Sequence, residues 1–111
     1  MIVWITGAPG AGKSVLAAKF KDLLPDAVIL DGDEVRKWLT PDCGFSDQDR
    51  RKHAERVLRV ARLVKNAIVA VVAHPPEPVD LLVLVEGPNR RPLWEGTTYV
   101  RPEHPDIVVR T

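Results

Sequence analysis

Residues 7 to 14 read GAPGAGKS, a glycine-rich run closed by a lysine and a hydroxyl residue. An apolar stretch, Ile2 to Ile5, precedes it and a helical pattern follows Lys13. The spacing G-x-x-x-x-G-K-[ST] suits a loop whose backbone N–H groups turn inward round a polyphosphate. Gly7, Gly10 and Gly12 accept the backbone angles such a loop needs, and Ala8, Pro9 and Ala11 complete it. The helix start adds its positive end. Lys13 is then placed to bridge the outer two phosphates of a nucleotide such as ATP, and the Ser14 hydroxyl to ligate Mg²⁺. The plainer alternative is a glycine turn before an ordinary helix; the strand ahead and the helix behind argue against it.

A second group of chemically capable side chains is Asp31-Gly32-Asp33, at the end of the apolar run Ala27 to Leu30. Open α/β sheets place ligands at that edge of their strands, so a carboxylate there is well placed for chemistry. Both aspartates also suit the cap of a short helix, and that reading stays open.

The elements that would position these groups follow from periodicity. Leu16, Phe20, Leu23 and Leu24 recur at i, i+4, i+7 and i+8, which predicts a helix over 13 to 24 with one buried face, stopped by Pro25. Glu34 to Leu39 reads as a short helix ended by Pro41. Ser46 with Asp49 resembles a capping box that opens a long helix over 47 to 65, with Ala54, Val57, Leu58, Ala61 and Val64 on one face. Ala67 to Ala73 is a continuous apolar run, as a central parallel strand should be. Leu81 to Val85 and Ile107 to Val109 read as further strands.

The second half differs in composition. Of ten prolines, those at 75, 76, 78, 88, 92, 102 and 105 fall after residue 73, so this half is mostly extended and loop. Residues 74 to 80 are too few for the helical crossover a parallel return normally uses. Either the fourth strand runs antiparallel or an extended link crosses the sheet.

Composition bounds the function. At 111 residues the chain reads as one domain, 1 to 111. A net charge of +1 makes nucleic-acid binding by bulk charge unlikely, which favours small-molecule partners. One cysteine, Cys43, excludes an internal disulfide, and His53, His74 and His104 lack metal-ligand spacing, so a reducing cytoplasmic setting is expected. No run approaches the roughly 20 apolar residues of a membrane span, and the N-terminal one is too short for a signal peptide. The basic residues Arg51, Lys52, Arg56, Arg59, Arg62 and Lys65 read as the wet face of the long helix. Trp4 reads as core.

Three stretches join the phosphate loop: LDGDEVR (30 to 36), GFSDQDRR (44 to 51) and YVRPEHPDIVVRT (99 to 111). Together and in this order they resemble the adenylylsulfate kinase family, over roughly residues 2 to 73 and 96 to 111. The resemblance implies a P-loop NTPase-type, three-layer α/β fold with a mostly parallel five-stranded sheet, here in a minimal version with a loop-rich C-terminal half. It implies transfer of the ATP γ-phosphate to the 3′-hydroxyl of adenosine 5′-phosphosulfate, with Mg²⁺. By resemblance, Asp33 serves as the base or hydroxyl-orienting group beside catalytic Lys13, and Asp31 supports Mg²⁺ with Ser14. Arg36 and Arg50 hold the anionic acceptor and Phe45 stacks on its adenine. Phosphoryl transfer needs positioning and charge neutralisation, and arginine forks suit phosphate and sulfate oxygens, so the chemistry agrees. Phe45 as core, and Arg36 and Arg50 as solvated side chains, are the alternatives.

The chain departs from the family in four places, the first being Ala8-Pro9 in the phosphate loop, where the family more often has a Ser before the second Gly. Lys52 and His53 stand where Glu and an acceptor-contacting Asn are usual, and histidine can still donate a hydrogen bond. Between 74 and 95 there is no room for the family's Ser-Pro-x-Arg helix or its basic lid, leaving Arg90 and Arg91 as the available cations. The final strand is not followed by the usual helix. A kinase without a lid is expected to be slow, leaky towards hydrolysis, dependent on a partner, or inactive. Two other functions therefore stand beside the first: a kinase for another hydroxyl (nucleoside, sugar, antibiotic or polynucleotide end), and a nucleotide-binding module without catalysis. The shortened sheet leaves room for a homodimer.

Overall fold

A computed structural model describes residues 1–44, 46–87 and 99–111. Five strands, β1 (Ile2–Gly7), β2 (Val28–Asp31), β3 (Ala67–Ala70), β4 (Leu81–Glu86) and β5 (Ile107–Arg110), form one sheet in the order β2-β3-β1-β4-β5. Every pairing among them is parallel. Among the described residues three helices accompany them: α1 (Lys13–Leu23), α2 (Gly32–Trp38) and α3 (Asp47–Val64).

Strand β1 is the centre, and its six residues are all buried. Alternation along it builds two cores. Ile2 and Trp4 face α2 and α3 and pack with Val35, Val57, Leu58 and Ala61. Val3 and Ile5 face α1 and pack with Ala11, Ala17, Val83 and Val85. Each such side chain contributes about 2 kcal/mol by leaving water, so β1 fixes the three layers.

The return from β3 to β4 is made by the extended link. Ten residues reach up to about 33 Å, more than the roughly 20 Å length of a six-residue strand, so no helix is needed to run back along the sheet. The link crosses on the α2/α3 face and is tied down by even-numbered side chains of β1. Trp4 Nε1 donates to Ala73 O at 2.9 Å, and Thr6 Oγ1 donates to Val72 O at 2.8 Å. At its far end Asp80 Oδ2 accepts from the Ile2 N–H at 2.6 Å. The fourth strand is therefore parallel, and the antiparallel alternative is excluded.

Other expectations need correction. The third strand ends at Ala70 rather than 73, because Val71 to Ala73 turn to meet these β1 side chains. Leu23, assigned to the buried face of α1, is 77% exposed, while Leu16, Phe20 and Leu24 pack on the core. The α3 cap is only half a capping box. Ser46 Oγ accepts from Asp49 N–H at 3.1 Å, but the Asp49 carboxylate reaches past Ser46 to the N–H of Gly44 at 3.0 Å.

Candidate active site

The C-terminal ends of β1, β2 and β3 open into one cleft of about 1070 Å³. One wall is the glycine loop. Gly7 touches the neighbouring strand so closely that a Cβ there would stand 2.6 Å from the carbonyl oxygen of Val85. Gly12, at φ 105°, is the N-cap of α1, a backbone angle that residues with a Cβ resist. Pro9, Gly10, Gly12, Lys13 and Ser14 line the cleft. Ala8 and Ala11 instead line a smaller pocket of about 100 Å³ on the other side of the loop, next to Glu86 and Gly87. Lys13 Nζ arches over its own loop, donating to Gly7 O at 3.1 Å and Ala8 O at 3.0 Å.

The floor carries the carboxylates. Asp31 ends β2 and caps α2, its Oδ1 accepting from Asp33 N–H at 3.2 Å. Its Oδ2 accepts from the Ser14 hydroxyl at 2.6 Å. Asp31 is thus the cap of α2 and a hydrogen-bond partner of Ser14 at once. Asp33, in the first turn of α2, is exposed on the cleft.

The wall opposite the loop is built from α2, α3 and the segment between them, and it brings Arg36, Arg50 and His53 to the same cleft. Arg36 Nη1 donates to Cys43 O at 3.1 Å and Gly44 O at 3.3 Å, and burial pushes its pKa down. Arg50 pairs with Asp47 one turn earlier. Neither is simply a solvated side chain. His53 is 3% exposed, and its Nδ1 lies 2.8 Å from Thr40 Oγ1. Burial, and then the charge of Arg36, push its pKa down to about 4. Beside this wall, Arg56 grips Asp42 with both terminal guanidinium nitrogens, at 2.6 and 3.0 Å, and Arg62 pairs with Glu77 at 3.1 Å.

Sequence reasoning left Thr6, Thr40, His74 and Tyr99 without roles. Tyr99 lines both the large cleft and the small pocket, and its hydroxyl meets Thr6 Oγ1 at 2.7 Å. His74 packs edge-on against the Tyr99 ring at 5.7 Å and its Nε2 meets Val100 O at 2.7 Å. A tyrosine opening the proline-rich Y-x-x-P stretch was the available signal for the first of these. Phe45, Arg90, Arg91 and Trp94 lie outside the described residues.

A divalent cation fits the donor set. Among the described residues no three His, Cys, Asp or Glu side chains converge, which is unlike a dedicated all-protein cage. A hydroxyl and one carboxylate, as in the Ser14–Asp31 pair on the cleft, make a sparse donor set of the kind that suits Mg²⁺ when phosphates and water supply the remaining ligands. Among the described residues no helix is long and apolar enough to cross a membrane.

Comparison with known proteins agrees with this architecture. A family model, adenylylsulphate kinase, matches residues 1–79. The adenylyl-sulfate kinase of Burkholderia ambifaria is 48% identical over 77 residues, 65% of this chain and 42% of that protein. That of Myxococcus xanthus is 43% identical over 75 residues, 65% of this chain and 40% of that one. The chain thus spans about two fifths of the length of the curated relatives it matches. Among solved structures, the Mycobacterium tuberculosis APS kinase in complex with AMPPNP and APS superposes with a TM-score of 0.74 at 27% identity, over 98% of this chain and 87% of that one. With the phosphate loop, the Asp31–Ser14 pair and the arginine-bearing wall all within the matched residues, the chain belongs to the adenylylsulphate kinase family.

Proposed function

We propose that this chain is an ATP-dependent phosphotransferase acting on the 3′-hydroxyl of adenosine 5′-phosphosulfate. The observation that carries the reading is the placement of a phosphate loop and an arginine-bearing wall across one cleft, with Asp31 and Asp33 on its floor. The relative solved with AMPPNP and APS supports both substrates.

In this reading the loop amides and Lys13 hold the triphosphate, Lys13 leaving its own loop carbonyls for phosphate oxygens. Ser14 and Asp31 hold Mg²⁺, which supplies neutralisation of phosphate charge. Arg36 and Arg50 hold the acceptor's phosphosulfate by charge-assisted hydrogen bonds, and His53 faces the same ligand. Phe45, next to Gly44, is assigned the acceptor's adenine. Asp33 accepts the acceptor hydroxyl proton as the new O–P bond forms and the bond from Pγ to the ADP oxygen breaks. The proposal extends to a cytoplasmic setting and to a homodimer, which sedimentation of the purified chain would test.

Labelled 3′-phospho product from γ-labelled ATP, Mg²⁺ and adenosine 5′-phosphosulfate, absent with Lys13→Ala, is the expected result. Nucleotide binding without acceptor-dependent turnover would reject it. A second reading, a kinase for a different hydroxyl acceptor, is favoured by one observation: His53, a buried imidazole, stands in the acceptor wall. An acceptor panel of nucleosides, sugars, antibiotics and polynucleotide 5′ ends separates the two.

A further inference from the structure

Thr40 is 1% exposed and joins α2 to the loop before α3. Among the described residues its hydroxyl has two polar neighbours, His53 Nδ1 at 2.8 Å and Val35 O at 3.5 Å. Val35 O already accepts the N–H groups of Leu39 at 2.8 Å and Thr40 at 3.0 Å. A carbonyl oxygen with two short donors offers little to a third at 3.5 Å. The hydroxyl proton therefore goes to Nδ1, and a nitrogen that accepts carries no proton of its own. The ring proton is left on Nε2, the ring nitrogen not engaged by Thr40, in a residue that lines the cleft.

We propose that Thr40 is a positioning residue that locks His53 in its Nε2–H tautomer, so that the acceptor wall presents a neutral hydrogen-bond donor in the cleft that Arg36 and Arg50 also line. Such a donor selects an acceptor molecule bearing a lone pair at that point, a hydroxyl or ether oxygen or an unprotonated ring nitrogen, and disfavours an N–H. It adds no charge to a cleft already lined by Arg36, Arg50 and Arg51. Burial and the nearby Arg36 charge keep the ring neutral at the pH of the cell. The inference about what the donor reads rests on the kinase reading above; the tautomer does not.

The test uses ¹⁵N-histidine-labelled protein, with His53→Asn to assign the His53 signals among the three histidines. The expected spectrum shows a pyridine-like Nδ1 and a pyrrole-like Nε2 for His53, and in Thr40→Val both nitrogens move towards the averaged positions of an exchanging ring. In steady-state assays Thr40→Val is expected to raise the acceptor KM about tenfold with little change in the ATP KM, and Thr40→Ser to restore it. A protonated Nδ1 in the parent protein overturns the lock, whatever the kinase assay gives. An Nε2–H ring that survives unchanged in Thr40→Val overturns the role of Thr40. A locked ring in a protein that does not phosphorylate adenosine 5′-phosphosulfate upholds the lock and rejects the acceptor assignment instead.

Discussion

The Ser14 hydroxyl donates to Asp31 Oδ2 at 2.6 Å, linking the first turn of α1 to the last residue of β2. The same carboxylate caps α2 through Oδ1. One side chain thus sets the distance between the phosphate loop and the helix that carries Asp33. Asp31→Ala is expected to lose the cap, about 1 kcal/mol, and to raise the Mg²⁺ concentration needed for turnover. Ser14→Ala should raise the Mg²⁺ requirement while leaving the cap intact. Thermal melts and Mg²⁺ titrations of both variants check the split; an Asp31→Ala protein with parental Mg²⁺ dependence would remove Asp31 from the metal site.

Asp33 and Lys13 should separate by kinetics. Asp33→Asn keeps the size and polarity of the side chain on the cleft but cannot take a proton. We expect a loss of about 10²-fold or more in kcat with ATP affinity nearly unchanged. Lys13→Ala should weaken nucleotide binding as well as turnover. Full activity in Asp33→Asn would dismiss it as the base.

His53 makes stability depend on pH with a definite sign. Its pKa is lowered from the ordinary 6.5 to about 4, so the unfolded chain binds the proton first as pH falls. The stabilisation is complete above about 6.5 and is lost as pH falls from there through about 4, on the order of 2 kcal/mol. Asp42 and Glu77, whose pKa values are lowered by Arg56 and Arg62, also lose stabilisation on acidification. The parent must therefore be compared with His53→Asn. The expected result is a shallower fall of Tm between pH 6.5 and 4.5 in the variant; parallel curves would contradict it.

The main outline of this fold was legible because it is local. Glycines at fixed offsets, a strand ahead and an apolar period behind placed the loop, and Asp31 stood at the end of a strand whatever its neighbours did. What depends on distant contacts was not legible. The direction of β4 was undecided because it is fixed by Trp4 and Thr6 holding a link some 70 residues away. Leu23 fits a helical stripe, yet it sits in the last turn of α1, where it is left mostly exposed. Thr40 has no motif: its meaning comes from the ring 13 residues on.

Tyr99 offers a spectroscopic check on the link between the C-terminal segment and the phosphate-loop strand. Thr6 spends its hydroxyl proton on Val72 O, so in the 2.7 Å contact between the two hydroxyls Tyr99 is the donor. Burial pushes its pKa up to about 12, against a smaller opposing pull from the Arg101 charge. It is the only tyrosine in the chain, so the ultraviolet difference that accompanies tyrosinate formation reports it alone, the three tryptophans having no ionisation there. The folded protein is expected to form tyrosinate well above the ordinary pH 10. The unfolded chain gives up its proton first, so stability should fall as pH rises from about 10 towards 12. Tyr99→Phe removes that dependence and the donor, costing about 1 kcal/mol, because Thr6 keeps Val72 O as its partner. Ionisation at pH 10 in the folded protein, or a Tyr99→Phe variant with the parent's alkaline melting curve, would show that this hydroxyl is not the tie between the two segments.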